Sequence, residues 1–162
     1  MEKIKSLAGV KNVVKRYKDA GKTIVFATGV YDILHIGHVK FLKKAKEVGD
    51  ILVVALDGDR VVQHMKGGGR PINSEKSRAE VLGSLEVVDH IYIFNVDRRP
   101  EFNDWFKVCE IVRPDILAVT EGDSLLEQKR LVLKDIGCQV IIVTSRVESA
   151  STTRIAKLLE IE

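Results

Sequence analysis

The chain has no basic block, no paired-cysteine motif and no long apolar run, and each absence removes a class of function. It holds 26 Lys and Arg against 23 Asp and Glu, a formal net charge of only +3 with the two signs interleaved. A nucleic-acid binder instead gathers its cations on one face or stripe. The expected partner is a small molecule, not nucleic acid. Cys109 and Cys138 stand far apart with no CxxC spacing and no histidine pair nearby, which speaks against a zinc site or a disulfide framework and for buried free thiols. Apolar residues never run long enough for a signal sequence or a bilayer span, so a soluble cytoplasmic protein is expected. Repeats, low-complexity tracts and linkers are also lacking. A 45% hydrophobic share of 162 residues builds one core, and the expectation is a single domain over residues 1–162.

Five short apolar runs, at 23–27, 51–56, 90–94, 115–119 and 140–143, mostly lack polar alternation. Continuous Val/Ile/Leu runs of this length suit strands covered on both faces, hence a parallel sheet. Helical patterns at 38–48, 75–85, 101–111, 124–136 and 151–159 alternate with them. Strands alternating with helices imply right-handed crossovers, and the expected fold class is α/β, doubly wound, with five parallel strands and helices on both faces. Residues 1–21 precede this 22–162 core as an amphipathic helix whose stripe of Val10, Val13, Val14 and Tyr17 must pack on the domain or on a second subunit. In the helix at 38–48, Phe41, Leu42, Ala45 and Val48 are expected to face the sheet, with Gly49 as the stop.

The most informative stretch is Thr28-Gly29-Val30-Tyr31-Asp32-Ile33-Leu34-His35-Ile36-Gly37-His38, which joins the first of those strands to its helix at the carboxyl edge of the sheet. Ligands of such sheets bind at that edge. Gly29 and Gly37 let backbone approach a ligand closely, and a helix beginning near Gly37 aims free N–H groups and a positive dipole end at an anion. His35 and His38, three apart at a helix start, can turn both imidazoles to one side and donate to phosphate oxygens.

With this HxGH signature the chain resembles the HxGH nucleotidyltransferases, a cytidylyltransferase-like family with a Rossmann-like domain. The run from Gly21 to Val39 is similar to that of the members that adenylylate heptose 1-phosphate, and next to that of glycerol-3-phosphate cytidylyltransferases. Two further segments carry the resemblance. Lys66-Gly67-Gly68-Gly69-Arg70-Pro71-Ile72-Asn73 reads by itself as a flexible surface loop before a helix that Asn73 or Ser74 caps; the resemblance makes Lys66 and, on that helix, Arg78 candidate phosphate ligands, with a structural ion pair as the alternative for Arg78. Arg146-Val147-Glu148-Ser149-Ala150-Ser151-Thr152-Thr153-Arg154 reads by itself as a helix N-cap at Ser151, and resembles the family's serine-threonine motif that embraces nucleotide phosphates. Two departures stand out: Ser149 lies where the approach to that motif usually contains glycine, and Thr120, Glu121 and Ser124 flank Gly122 and Asp123 where the heptose enzymes have a lysine and an aromatic residue.

The resemblance implies catalysis by His35, His38 and Lys66. It implies a nucleotide site drawing on Thr28, Gly29, Tyr31, Asp32, Gly37, His38, Arg78, Gly122, Asp123, Arg146, Ser151, Thr152 and Thr153, and acceptor contacts from Asp32, Asp59 and Lys66. Asp32, Asp59 and Asp123 can equally be solvated turn formers. The implied reaction joins a nucleoside monophosphate from a nucleoside triphosphate to a phosphorylated metabolite with release of pyrophosphate, by positioning and charge stabilisation without an enzyme-bound intermediate. Magnesium would ride on the triphosphate, with no dedicated protein ligands. ATP with heptose 1-phosphate, giving ADP-heptose, is the favoured pairing. CTP with a glycerol or alditol phosphate, or ATP with flavin mononucleotide, is the rival, and a catalytically idle nucleotide-binding module is a rival from another class. A homodimer is expected from the family, with slight support from the apolar stripe on the N-terminal helix.

Overall fold

The computed structural model describes residues 2–145, 155 and 156. Its elements follow in the order β1 (Ile4–Lys5), α1 (Leu7–Asp19), β2 (Ile24–Gly29), α2 (Ile36–Glu47), β3 (Ile51–Asp57), α3 (Asp59–Lys66), α4 (Glu75–Ser84), β4 (His90–Phe94), α5 (Phe102–Val112), β5 (Ile116–Thr120), α6 (Leu126–Lys134) and β6 (Gln139–Thr144). The six strands form one parallel sheet in the order β1-β4-β3-β2-β5-β6. Five strands are expected from the sequence, and the sixth is β1. Its two residues pair Ile4 with Ile91 and Lys5 with Tyr92, too short a run to show any hydrophobic period.

Alternate residues of each strand feed two cores, as the pleat requires. Ile24 and Phe26 of β2 join α1, α5 and α6 on one face, while Val25 and Ala27 join α2 and α4 on the other. The Val10, Val13 and Val14 stripe of α1 is buried by the domain itself, which contributes on the order of 1.5–3 kcal/mol per side chain and removes the sequence argument for a second subunit covering it. Leu42 and Ala45 of α2 are buried and Phe41 and Val48 pack beside them. Gly49 does not end that helix by a left-handed turn; a Cβ there would lie 2.5 Å from Cγ2 of Val25, so its role is close approach to β2.

The helix α3 is a second difference. Its N-cap Gly58 supplies no side-chain hydrogen bond and its eight residues carry no start signal that a sequence reader recognises. Lys66 is consequently the last residue of a helix, and the loop proper begins at Gly67.

The sheet order reverses direction at β2, which pairs with β3 on one side and β5 on the other. The crevice beyond the carboxyl end of β2 is the topological switch point, where an open α/β sheet receives its ligand. The segment bearing His35 and His38 starts there.

Candidate active site

His35 occupies the N-cap of α2 in extended conformation, and its Nδ1 accepts the backbone N–H of Gly37 at 3.1 Å. That bond leaves the ring's proton on Nε2. Starting the helix at Ile36 puts His38 in its first turn, and the two imidazoles stack with centroids 3.8 Å apart and planes 20° from parallel. Tyr31 meets His38 edge-on at 5.1 Å from a backbone with φ of 48°, a left-handed conformation that costs a non-glycine residue roughly 1–2 kcal/mol. Gly29 makes room for this ring, since a Cβ there would sit 2.9 Å from Cε2 of Tyr31.

Burial lowers the pKa of His35. His38 falls further, to about 4, through burial first and then the nearby charges of His35 and Lys66, with a hydrogen bond to the Ile33 backbone pulling the other way. Both rings are therefore neutral at pH 7. The cation of Lys66 also lowers Asp57, so its charge reaches both groups from the exposed end of α3.

Four residues expected to touch substrate make contacts within the protein. Arg78 is 2% exposed; its Nε donates to the Asn73 carbonyl at 2.9 Å, Nη1 to the carbonyls of Val30 and Asp57 at 2.6 and 2.7 Å, and Nη2 to Asp59 Oδ1 at 2.8 Å. Its guanidinium ties the loops after β2 and β3 to the start of α4, the structural ion pair that is the alternative to phosphate binding for this residue. Asp59 is its ion-pair partner through Oδ1. The Asp32 carboxylate is buried; it accepts from Arg70 Nε at 3.0 Å and from the backbone N–H groups of Ile72 and Asn73 at 3.0 and 2.9 Å. It anchors the 67–73 loop beside the histidines and presents no free edge to nucleotide or acceptor. Asp123 accepts from Lys129 Nζ at 2.6 Å and Leu125 N at 2.9 Å, spanning the turn into α6, with Gly122 at φ of 79° before it. Arg146, Ser151, Thr152 and Thr153 lie outside the described residues.

A cavity of about 170 Å³ opens beside this edge, lined by Thr28, Asp57, Phe102, Trp105, Phe106, Cys109, Leu117, Leu125, Lys129 and Leu133. Asp57 ends β3, is 5% exposed and takes the Trp105 indole N–H on Oδ1 at 3.2 Å. Burial raises its pKa to about 6, opposed by the Trp105 bond and by Arg78 and Lys66. Sequence reasoning missed Asp57 and Trp105. A signal for Asp57 existed, since it is the acid that terminates an apolar strand at the ligand-binding edge. Cys109 and Cys138 are buried free thiols, as expected, and burial pushes them up to about 12 and about 11. Among the described residues no cluster of three His, Cys, Asp or Glu can cage a metal, and no helix is long and apolar enough to cross a membrane.

The cytidylyltransferase-like family model matches residues 26–158. The bifunctional protein HldE of Nitratiruptor sp. is 42% identical over 156 residues, covering 96% of this chain and 32% of that protein; HldE of Wolinella succinogenes is 37% identical over 159 residues, 98% of this chain and 31% of that protein. The chain thus spans about a third of the length of these relatives. The crystal structure of the lipopolysaccharide core biosynthesis protein from Thermoplasma volcanium is 32% identical with a TM-score of 0.60, covering 78% of this chain and 98% of that one. Pantothenate synthetase from Thermus thermophilus, at 15% identity and a TM-score of 0.69 over 95% of this chain and 67% of that one, shares the fold.

Proposed function

The chain belongs to the cytidylyltransferase-like family, and from that membership we propose that it transfers a nucleoside monophosphate from a nucleoside triphosphate to a phosphorylated sugar, with ATP and heptose 1-phosphate giving ADP-heptose as the preferred pair. The observation that carries the reading is the stacked, neutral His35–His38 pair at the switch point, with the charge of Lys66 in reach. Similarity to the HldE proteins and to a lipopolysaccharide core biosynthesis protein supports the heptose acceptor.

An acceptor phosphate oxygen is already ionised at neutral pH, so the attack on the α-phosphorus needs no general base. The bond to pyrophosphate breaks as the new one forms. What the reaction demands is stabilisation of charge on the α-phosphate oxygens. A neutral imidazole serves as an N–H donor; His35, whose Nδ1 is occupied by Gly37, donates from Nε2. Lys66 neutralises triphosphate charge from the end of α3. Magnesium fits as a partner of the triphosphate: with Asp32 and Asp59 engaged to arginines it would be held mainly by phosphate oxygens and water, supplying charge neutralisation. We extend the proposal to a cytoplasmic homodimer, on the family resemblance alone.

The test is pyrophosphate release across a matrix of ATP and CTP against heptose 1-phosphate, glycerol 3-phosphate and flavin mononucleotide. ATP with heptose 1-phosphate should give the highest kcat/KM, and His38→Ala should lower kcat by about 10²–10³ with an unchanged circular dichroism spectrum. Nucleotide binding without turnover on any acceptor would favour an idle binding module.

A further inference from the structure

We propose that Tyr31 is the positioning residue of the histidine pair: its ring, anchored in the core, fixes the plane of the His38 imidazole against His35 and shields it from water. The proposal rests on the proposed function for its kinetic consequences, but the geometry it describes exists without substrate.

Three features of Tyr31 run against local preference, and all sit beside one catalytic side chain. Its backbone is left-handed, with φ of 48°, a region that a bulky aromatic residue rarely occupies. Residue 29 can carry no side chain without displacing it, because a Cβ there would lie 2.9 Å from Cε2 and 3.1 Å from Cζ of the Tyr31 ring. Tyr31 is 5% exposed, and its hydroxyl has no hydrogen-bond partner among the described residues; a bond left unmade at a buried polar atom costs stability. Strain of this kind persists only where the surrounding structure enforces it, and it gathers at functional sites. With the hydroxyl idle, what the fold retains is the ring.

The contact with His38 gives that ring its role. The last torsion of a histidine side chain is broad, so a place in the first turn of α2 does not by itself set the plane of the imidazole. Stacking on His35 at 3.8 Å restrains the His38 ring from one side only. Tyr31 meets it from another, with centroids 5.1 Å apart and planes at 61°, within the range that edge-on aromatic pairs prefer. Two neighbours at such different angles leave the imidazole one plane. Tyr31 itself cannot yield, because it packs in the buried cluster with Leu42, Ala45, Leu56 and Ala79, drawn from α2, β3 and α4. His38 thus inherits its orientation from the core. The charged groups acting on His38 are His35 and Lys66, and burial outweighs both in lowering its pKa. Burial and the Asp57 charge hold the Tyr31 phenol protonated, so the shield carries no charge of its own.

Nuclear magnetic resonance titration of His38 in the ligand-free protein is the first measurement. Tyr31→Leu should raise the pKa of His38 from about 4 toward the ordinary 6.5, while Tyr31→Phe, which keeps the ring, should leave it at about 4. In steady-state assays with ATP and heptose 1-phosphate, Tyr31→Leu should lower kcat about tenfold or more, with KM for ATP within about twofold of wild type. Tyr31→Phe should bring kcat back to within about twofold of wild type. If Tyr31→Leu does not fold, Gly29→Ala displaces the ring without removing it and should move the His38 pKa the same way. A Tyr31→Leu protein with His38 still at about 4, or with undiminished kcat, would overturn the proposal. So would a Tyr31→Phe protein as slow as Tyr31→Leu, since the hydroxyl and not the ring would then be at work. Wild-type protein that turns over no acceptor, while the His38 titrations come out as stated, would sink the proposed function and leave the positioning role of Tyr31 in place.

Discussion

The imidazoles of His35 and His38 lie face to face, 3.8 Å between centroids, so neither ring can take a proton without its charge being felt by the other. His38 is lowered to about 4 in the folded chain, by burial first and by the charges of His35 and Lys66 after it. The unfolded chain, with an ordinary histidine near 6.5, binds more protons across the interval between.

The contribution of His38 to stability should therefore decline as pH falls from about 6.5 to about 4 and level off below. Asp57 has the opposite sign: its folded pKa of about 6 exceeds the unfolded value, so its unfavourable term grows as pH rises from about 4 to about 6. Urea denaturation at pH 4.5, 5.5 and 7 checks this. The two contributions largely offset each other in the wild type, so His38→Asn should make stability rise as pH falls from about 6 to about 4; a variant with the wild-type pH slope would contradict the assignment to His38.

Arg78→Lys should cost about 3–5 kcal/mol, because a lysine cannot make the forked bonds to Val30, Asp57, Asn73 and Asp59. The chemical denaturation midpoint would show it. A phosphate-binding arginine would instead leave the midpoint near wild type and raise KM for the triphosphate.

Lys66→Met should raise the pKa of His38 and of Asp57 together, since the Lys66 cation lowers both. Nuclear magnetic resonance titration of the two side chains measures it. Movement of one group without the other would break the link between histidine pair and cavity.

What the sequence made legible is what local pattern encodes. Valine-rich runs announced the central strands, and a helix start between Gly37 and two histidines announced the ligand edge. The two-residue strand β1 carried no period to read, and α3 had only Val61, Val62 and Met65 to set against a bare glycine cap. The roles of Arg78, Asp32 and Asp59 were not legible, because a cation or carboxylate in a loop looks the same whether it faces phosphate or a buried backbone carbonyl. Only the closure of Arg78 onto three separate segments decides that. Asp57 escaped notice because its partner, Trp105, is brought to it from α5 by the sheet and not by the chain.

Gly58 follows Asp57, and a Cβ on it would fall 2.0 Å from Oδ1 of Asn95. Asn95 Nδ2 donates to Glu75 Oε2 at 3.2 Å, and the same oxygen receives the N–H of Asp59 at 2.8 Å. Any side chain at 58 pushes Asn95 off this carboxylate. Positions 58 and 95 can therefore diversify only in concert, and a library that varies the mouth of the site one residue at a time will return Gly58 as immovable when it is merely half of a pair.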